Sequence, residues 1–173
     1  MRDDYDKGWE NLKKKVWISV LISAIVIGGL YSLVKFNPPI EIGTLASSED
    51  KKSVVVGIGN KGFLEVKNLD VSVNNNEKPS KLKVQKSNAL QGFIITDDFE
   101  NQESGKYGFR NIGDIVLKTG TAPSSYFNKL DDGTATKDDE IYGVSVIHHE
   151  AILKVDIRYS YFGISFNETV FFN

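Results

Sequence analysis

The chain has 173 residues, which suits one folded domain with an appendage, and its 40% apolar and 25% charged residues are typical of folded proteins. It contains no cysteine, which excludes a disulfide framework, thiolate metal sites and a thiol nucleophile. The formal net charge is −2, and acidic residues outnumber basic ones after position 35, which argues against a nucleic-acid-binding protein with a basic face.

An uncharged apolar run extends from Val16 to Val34. A helix of that length, at about 1.5 Å per residue, matches the roughly 30 Å hydrocarbon core of a bilayer. Trp17 and Tyr31 are side chains that favour the membrane–water interface, and Pro38 stops a helix because it lacks an amide hydrogen. The sequence therefore predicts one transmembrane helix over residues 16–35, with the membrane as its first partner.

Lysine placement predicts the orientation of this helix. Three consecutive lysines occupy positions 13–15, whereas only Lys35 lies close to the other end of the run. Because basic flanks stay on the cytosolic side, we expect a cytosolic tail at residues 1–15, a single-pass location in the cell membrane, and an extracytoplasmic remainder. A cleaved signal peptide is the alternative, although the run is longer than usual and no small-x-small cleavage site follows it.

Ala24, Gly28 and Ser32 recur at intervals of four residues in the predicted helix. This spacing places small side chains on one face, where two membrane helices can approach closely. The pattern predicts a helix–helix contact and a homo-oligomer, against the plainer interpretation that small residues are common in membrane helices.

Alternation of apolar and polar residues predicts a long hairpin near the C-terminus. Apolar side chains alternate with polar ones over residues 153–161 and again over 164–172, on either side of Phe162-Gly163. A period of two with one polar face is typical of an antiparallel strand over a core. The two segments therefore predict paired strands joined by a tight turn.

A second hairpin is predicted near the start of the domain. Residues 53–58 are rich in β-branched side chains, residues 59–62 have the composition of a turn, and residues 64–73 alternate again. The apolar parity changes at Asn68, which predicts a β-bulge there. Further short strands are predicted at residues 40–45, 81–86, 92–96, 107–109, 112–118 and 142–147.

About seven to nine strands without a helical period predict an all-β extracytoplasmic domain. We expect an immunoglobulin- or fibronectin-like β-sandwich over residues 53–173, with a small open barrel as the alternative. Residues 36–52 are predicted to be a linker that includes a first strand in one interpretation, and residues 119–140 a long polar loop.

Three motifs suggest chemistry that their context does not support. Gly57, Gly59 and Gly62 match a dinucleotide-binding fingerprint, but an alternating strand follows them where a helix is required, so they are interpreted as hairpin residues. His148 and His149 are adjacent, and neighbouring side chains on a strand point to opposite faces, so no metal site is predicted.

The third motif is the acidic segment 128–140, which is similar to a calcium loop but carries Leu130 where a ligand is needed.

Tyr126 and Phe127 are adjacent aromatic residues within the predicted loop. They are interpreted either as a plug that fixes the loop to the sandwich or as a partner-binding anchor.

No nucleophile stands beside a base in a recognisable motif, so the chain is not expected to be an enzyme and no cofactor is predicted. The favoured function is a membrane-anchored protein-interaction or structural module with an envelope protein as partner and no nucleic acid. A ligand- or calcium-sensing exported domain is the first alternative, and an envelope hydrolase is the weakest.

Overall fold

The computed structural model describes the backbone of residues 2–173 and the side chains of residues 13–173. The chain divides into two compact units, the first ending at Asn37 and the second running from Pro38 to Asn173.

The first unit is one α-helix, α1 (Arg2–Phe36). Its part from Lys13 to Phe36 is long and apolar enough to span a membrane, and none of that part is buried inside the protein. The side-chain amide of Asn37 donates to the carbonyl of Leu33 at 2.8 Å and so satisfies one acceptor that the end of a helix leaves free.

The second unit is built mainly from β-strands. Within residues 38–173 they are β1 (Ile40–Ser47), β2 (Ser53–Asn60), β3 (Lys67–Val73), β4 (Lys81–Asn88), β5 (Phe109–Arg110), β6 (Glu140–Ile147), β7 (Lys154–Tyr161) and β8 (Ile164–Phe171). Two 3-10 turns, Ser104–Tyr107 and Ile112–Asp114, and one short helix, α2 (Pro123–Asp131), lie in the connections.

The strands form two antiparallel sheets in a sandwich-like arrangement. The five-stranded sheet has the order β1-β2-β6-β4-β5, and the three-stranded sheet has the order β3-β7-β8. The prediction of a mostly β domain after one apolar helix is confirmed at this level. The first strand begins at Ile40, inside the segment predicted to be a linker.

Strand β2 is buried along its whole length, which explains its run of β-branched residues at positions 54–56. Val54, Val56 and Ile58 lie on one face of the strand, and each is at most 1% exposed. Val55 and Gly57 lie on the other face of the strand. Two segments cover this face of the sheet: the one around Phe93, which follows β4, and the one around α2. Together they are called the outer cover. The five-stranded sheet is therefore a middle layer between the three-stranded sheet and this outer cover.

The two ends of the sandwich are defined by strand register. Ile40 pairs with Asn60 where the chain enters the domain, and this is called the entry end. Ser53 pairs with Ile147 at the opposite end of β2, called the far end. The β7–β8 turn belongs to the entry end, because the hydroxyl of Tyr161 lies 3.1 Å from the amide nitrogen of Phe63, just after β2.

The predicted C-terminal hairpin is confirmed. Strands β7 and β8 pair in continuous register from Lys154–Phe171 to Tyr161–Ile164. Phe162 and Gly163 both have positive φ, at 53° and 73°. Two left-handed residues in a two-residue connection match the twist of the flanking strands, which is why a sequence of this kind closes a hairpin.

The predicted hairpin between residues 53–58 and 64–73 is wrong. Strand β2 pairs with β1 and β6, whereas β3 lies in the other sheet beside β7. The side-chain amide of Asn60 donates to the carbonyls of Leu64 and Leu117, at 2.8 and 3.1 Å, and turns the chain from one sheet to the other. The bulge in β3 is confirmed: its register with β7 shifts after Lys67, and Asn68 has a φ of 56°.

Of the six shorter predicted strands, residues 40–45, 81–86 and 142–147 are confirmed as β1, β4 and β6. Residues 92–96 do not form a strand, because their backbone is bound by a side chain: Gln85 accepts from the amide of Ile94 and donates to its carbonyl. Residues 107–109 hold the end of a 3-10 turn and the start of β5. Residues 112–118 form the second 3-10 turn and a single bridge from Leu117 to Val66.

The predicted loop 119–140 contains α2, so the expectation of no helix beyond the membrane segment is wrong. Pro123 occupies the start of this helix, where its missing amide hydrogen costs no hydrogen bond. Lys129 lies in the last turn, where a positive charge is favourable. A helix of nine residues is too short to show a clear apolar period beside so many polar side chains.

Candidate functional site

Glycines in β1 and β2 allow the segment around α2 to lie directly on the five-stranded sheet. A Cβ atom placed on Gly43 would lie 2.6 Å from Pro123, and one placed on Gly59 would lie 1.9 Å from the carbonyl oxygen of Thr121. No real Cβ tolerates such distances. The α2 segment can therefore approach the sheet this closely only because Gly43 and Gly59 have no side chains.

The two adjacent aromatic residues of α2 differ in burial. Tyr126 is buried with Ala89 and Ile141, and its hydroxyl lies 3.4 Å from the hydroxyl of Thr44. Phe127 packs its ring 4.5 Å from that of Tyr126 but is 42% exposed. Tyr126 thus fixes the helix to the sheet, while Phe127 and the partly exposed Leu130 face outward.

A cleft of about 240 Å³ opens between α2 and the segments on either side of it. Lys129 in α2 forms an ion pair with Asp139, which also accepts hydrogen bonds from the amide and hydroxyl of Thr136, at 2.7 and 2.9 Å. The Lys129 ammonium and the Thr136 donors together lower the pKa of Asp139 to about 2. Asp139 is therefore an ionised carboxylate at neutral pH and binds Lys129 in the last turn of α2.

Glu140, next along the chain, carries two lysine partners. Its carboxylate lies 3.0 Å from Lys118 and 3.1 Å from Lys86, and it accepts a hydrogen bond of 2.9 Å from the hydroxyl of Tyr142. Burial opposes ionisation of Glu140, but these three donors outweigh it and hold the pKa of its carboxyl below the ordinary value. Burial, followed by the Glu140 carboxylate, raises the pKa of Tyr142.

These pairings bear on the acidic segment that is similar to a calcium loop. Its residues 128–131 are helical, and both Asp139 and Glu140 are turned toward lysines. Carboxylates that already neutralise ammonium groups are poorly placed to surround Ca²⁺, which takes six to eight oxygen ligands.

The glycine motif serves packing in the outer cover. Gly57 stands opposite Gly143 in the β2–β6 ladder. A Cβ on Gly143 would lie 2.8 Å from the ring of Phe93, and one on Gly57 would lie 3.2 Å from it. The interpretation of these glycines as hairpin residues is wrong, since no hairpin follows β2. Gly57 makes room for the ring of Phe93, and Gly59 makes room for the backbone of Thr121.

The structure brings together three potential metal ligands at the far end of the domain: Glu77, His148 and His149. The expectation that the two histidines point away from each other is wrong, because β6 ends at Ile147 and the alternation of a strand does not continue past it. Their ring centroids lie 4.1 Å apart. Nothing in the sequence near the histidines points to Glu77, which lies 71 positions away from His148.

An exposed aromatic pair, Phe63 and Phe162, lies at the entry end and is not among the sites predicted from the sequence. Phe63 is 71% exposed and packs its ring 5.3 Å from that of Phe162, which is 53% exposed. The hydroxyl of Tyr161 accepts hydrogen bonds of 3.1 Å from the amides of Phe63 and Leu64 and so fixes the position of the pair. The pair lies beside Pro39, whose carbonyl accepts from the amide of Lys61 at 2.9 Å.

Ala24, Gly28 and Ser32 lie exposed in the apolar part of α1. A Cβ on Gly28 would meet no atom within 4 Å. Their role in a helix–helix contact stays a prediction.

No protein-family model, no curated protein and no solved structure matches this chain significantly. The candidate sites are therefore defined by their geometry and chemistry alone.

Proposed function

We propose that this chain is a single-pass protein of the cell membrane whose extracytoplasmic β-sandwich acts as a protein-interaction or structural module in the envelope. The observation that carries this proposal is the succession of an unburied apolar helix, Lys13–Phe36, and a β-domain that begins at Pro38. A helix that is apolar on every side is stable in lipid, whereas in water it would expose a large hydrophobic surface.

The direction of insertion rests on the lysine block at positions 13–15, which favours a cytosolic N-terminus. The domain then lies outside, close to the bilayer. Only Asn37 and Pro38 separate Phe36 from Pro39, and three residues of fully extended chain reach at most about 11 Å. This arrangement suits a module that works at the membrane surface rather than at the end of a long stalk.

We infer an immunoglobulin-like fold from the strand connectivity, and such a fold supports a role in protein interaction. The order β1-β2-β6-β4 in one sheet and β3-β7-β8 in the other has the same connectivity as the ABED and CFG sheets of constant-type immunoglobulin domains, with β5 added at one edge. Many cell-surface proteins use such sandwiches to present loops and strand edges to partners. The fold alone does not identify the partner.

The cleft beside α2 favours a role without catalysis. Asp139 and Glu140 have lowered carboxyl pKa values, because lysines and hydroxyl donors stabilise their charged forms. General acid–base catalysis near neutral pH instead needs a carboxyl whose pKa is raised toward the working pH.

The outward side of α2 is the proposed contact with an envelope protein. Tyr126 is committed to the core, which leaves Phe127 and Leu130 as exposed apolar side chains on a helix that is fixed to the sheet. Aromatic anchors on a rigid support bind at little entropic cost. The complementary partner surface is an apolar pocket on another envelope protein.

Membrane topology is tested with single cysteines, since the natural chain has none. We expect a membrane-impermeant maleimide to label Glu100→Cys on intact cells, and to label Asp4→Cys only after permeabilisation. Labelling of the two sites with the opposite pattern, or recovery of the full-length chain from the soluble fraction, would falsify the proposed topology.

The partner contact is tested by replacing Phe127 with a photo-reactive phenylalanine analogue in intact membranes. We expect one defined cross-linked product, which Leu130→Glu abolishes while α2 stays folded. The same analogue at Phe171, an exposed residue of β8, provides the matched control. Equal products at positions 127 and 171, or none at 127, would contradict a contact through α2.

A further inference from the structure

We propose that Glu77, His148 and His149 form a binding site for a divalent transition-metal ion of the zinc type. The site lies at the far end of the sandwich, in two connections that each run from one sheet to the other. Glu77 stands between β3 and β4, and the histidines stand between β6 and β7.

The donor atoms already converge. One ring nitrogen from each histidine and one carboxylate oxygen of Glu77 lie within 4.8 Å of one another. Tetrahedral Zn²⁺ with bonds of about 2.0–2.1 Å holds its donors roughly 3.4 Å apart, so closure requires a movement on the order of an ångström. The side chains of His149 and Glu77 are 66% and 41% exposed, which leaves both free to make that movement.

His148 supplies an independent observation. It is 97% buried (3% exposed), and its Nδ1 atom has no hydrogen-bond partner among the described residues. Its Nε2 atom lies 3.2 Å from Glu77, and its backbone amide donates to the carbonyl of Lys52 at 2.9 Å. A buried polar nitrogen without a partner is rare in proteins. The rigidly held imidazole thus has binding capacity that the surrounding protein atoms do not use.

The ligand set defines the class of metal. Two imidazoles and one carboxylate suit Zn²⁺, and also Ni²⁺ or Cu²⁺, whereas Ca²⁺ and Mg²⁺ prefer sites made wholly of oxygen atoms. Three protein ligands leave one tetrahedral position for water or for a group from a partner. The chain has two histidines and no cysteine, so both of its imidazoles lie in this site and no thiolate competes for the metal.

Bound metal would cross-link the β3–β4 connection to the β6–β7 connection, in a domain that has no disulfide. Strand β3 precedes Glu77 in the three-stranded sheet, and β6 precedes His148 in the five-stranded sheet. A metal that binds only the folded state stabilises that state by mass action. The site would therefore supply a cross-link in a domain without cysteine, and this inference does not depend on the proposed partner or topology.

The test uses the full-length chain in detergent, purified without a polyhistidine tag. We expect calorimetry with zinc chloride to show one ion per chain and thermal unfolding to shift to higher temperature, while calcium chloride produces neither effect. In ¹⁵N spectra of the imidazoles, zinc should shift one ring nitrogen of each of the two histidines.

The decisive variants are Glu77→Gln and His149→Asn, which change half-exposed or exposed side chains. Each should weaken zinc binding by more than about tenfold and retain the metal-free unfolding temperature. Glu150→Gln is the matched control, since Glu150 approaches His149 to 4.0 Å but lies outside the cluster. Absence of zinc binding at millimolar concentration, or equal affinity in the wild type, Glu77→Gln and His149→Asn, would overturn the proposal.

Discussion

Gly57 and Gly143 face each other across the β2–β6 ladder, and the ring of Phe93 covers both. The pair forms a flat area in the middle of the five-stranded sheet, on the side away from the three-stranded sheet. This contact, together with the one between Pro123 and Gly43, attaches the outer cover to the sandwich.

We expect Gly143→Ala to lower the free energy of unfolding by about 1–3 kcal/mol, because its Cβ would lie 2.8 Å from a ring atom of Phe93 and the ring has to move. Urea unfolding followed by circular dichroism measures the change. Gly113→Ala is the control, since a Cβ there would meet no atom within 4 Å. Equal stability of the two variants would show that the cover adapts without cost.

The side chain of Gln85 fixes residues 92–96, which follow β4, through hydrogen bonds to the backbone of Ile94. Its side-chain amide donates to the carbonyl of Ile94 and to the hydroxyl of Ser145, both at 2.7 Å. A carboxylate cannot donate these bonds, so Gln85→Glu should destabilise the domain by about 1–3 kcal/mol or more. Amide hydrogen exchange should rise first at residues 92–96. The exposed Gln91→Glu serves as the control, and equal exchange in the two variants would contradict this role.

The aromatic pair at the entry end should contact lipid if the proposed topology holds. Phe63 and Phe162 are exposed at the entry end of the domain, the end at which the chain arrives from α1. A polarity-sensitive fluorophore on Phe63→Cys should therefore emit at shorter wavelength in vesicles and be quenched by brominated lipid. The same fluorophore on Glu150→Cys, at the far end, should report water. Equal quenching at both positions would place the domain away from the bilayer or in another orientation.

The contact between Asp139 and the end of α2 should depend on pH. The pKa of Asp139 is lowered to about 2, first by Lys129 and then by Thr136. A group with a lowered pKa in the folded state stabilises that state above its unfolded pKa, near 4, and this contribution is lost as the pH falls toward 2. Carboxyl chemical shifts from NMR measure the pKa directly. Asp139→Asn should reduce the pH dependence of the free energy of unfolding in this window, and should do so more than Asp138→Asn does.

Local patterns were sufficient to predict several elements. The β7–β8 hairpin and the bulge at Asn68 were both visible, because alternation records which face of a strand is buried, and a change of parity records an inserted residue. Alternation carries no information about the partner strand. The β2–β3 pairing was therefore predicted wrongly, and the side-chain bonds of Asn60 that direct the chain to the other sheet could not be anticipated.

The candidate sites were harder to predict for a related reason. The proposed metal ligands Glu77 and His148 come together only through the packing of two sheets, which residue spacing along the chain does not encode. The role of Tyr126 depended on α2, a helix whose start at Pro123 is visible but whose length is too short for a clear period. Both interpretations of Tyr126 and Phe127 assume a loop, whereas the helix places Tyr126 in the core and Phe127 at the surface.

The bulge in β3 affects how neighbouring copies of the chain can meet. Strand β3 is an outer strand of its sheet, and such strands expose backbone groups to which a second molecule can add a strand. The left-handed Asn68 and the exposed Lys67 interrupt that regular row of donors and acceptors. We expect this interruption to disfavour the addition of a strand from a second copy of the chain at β3.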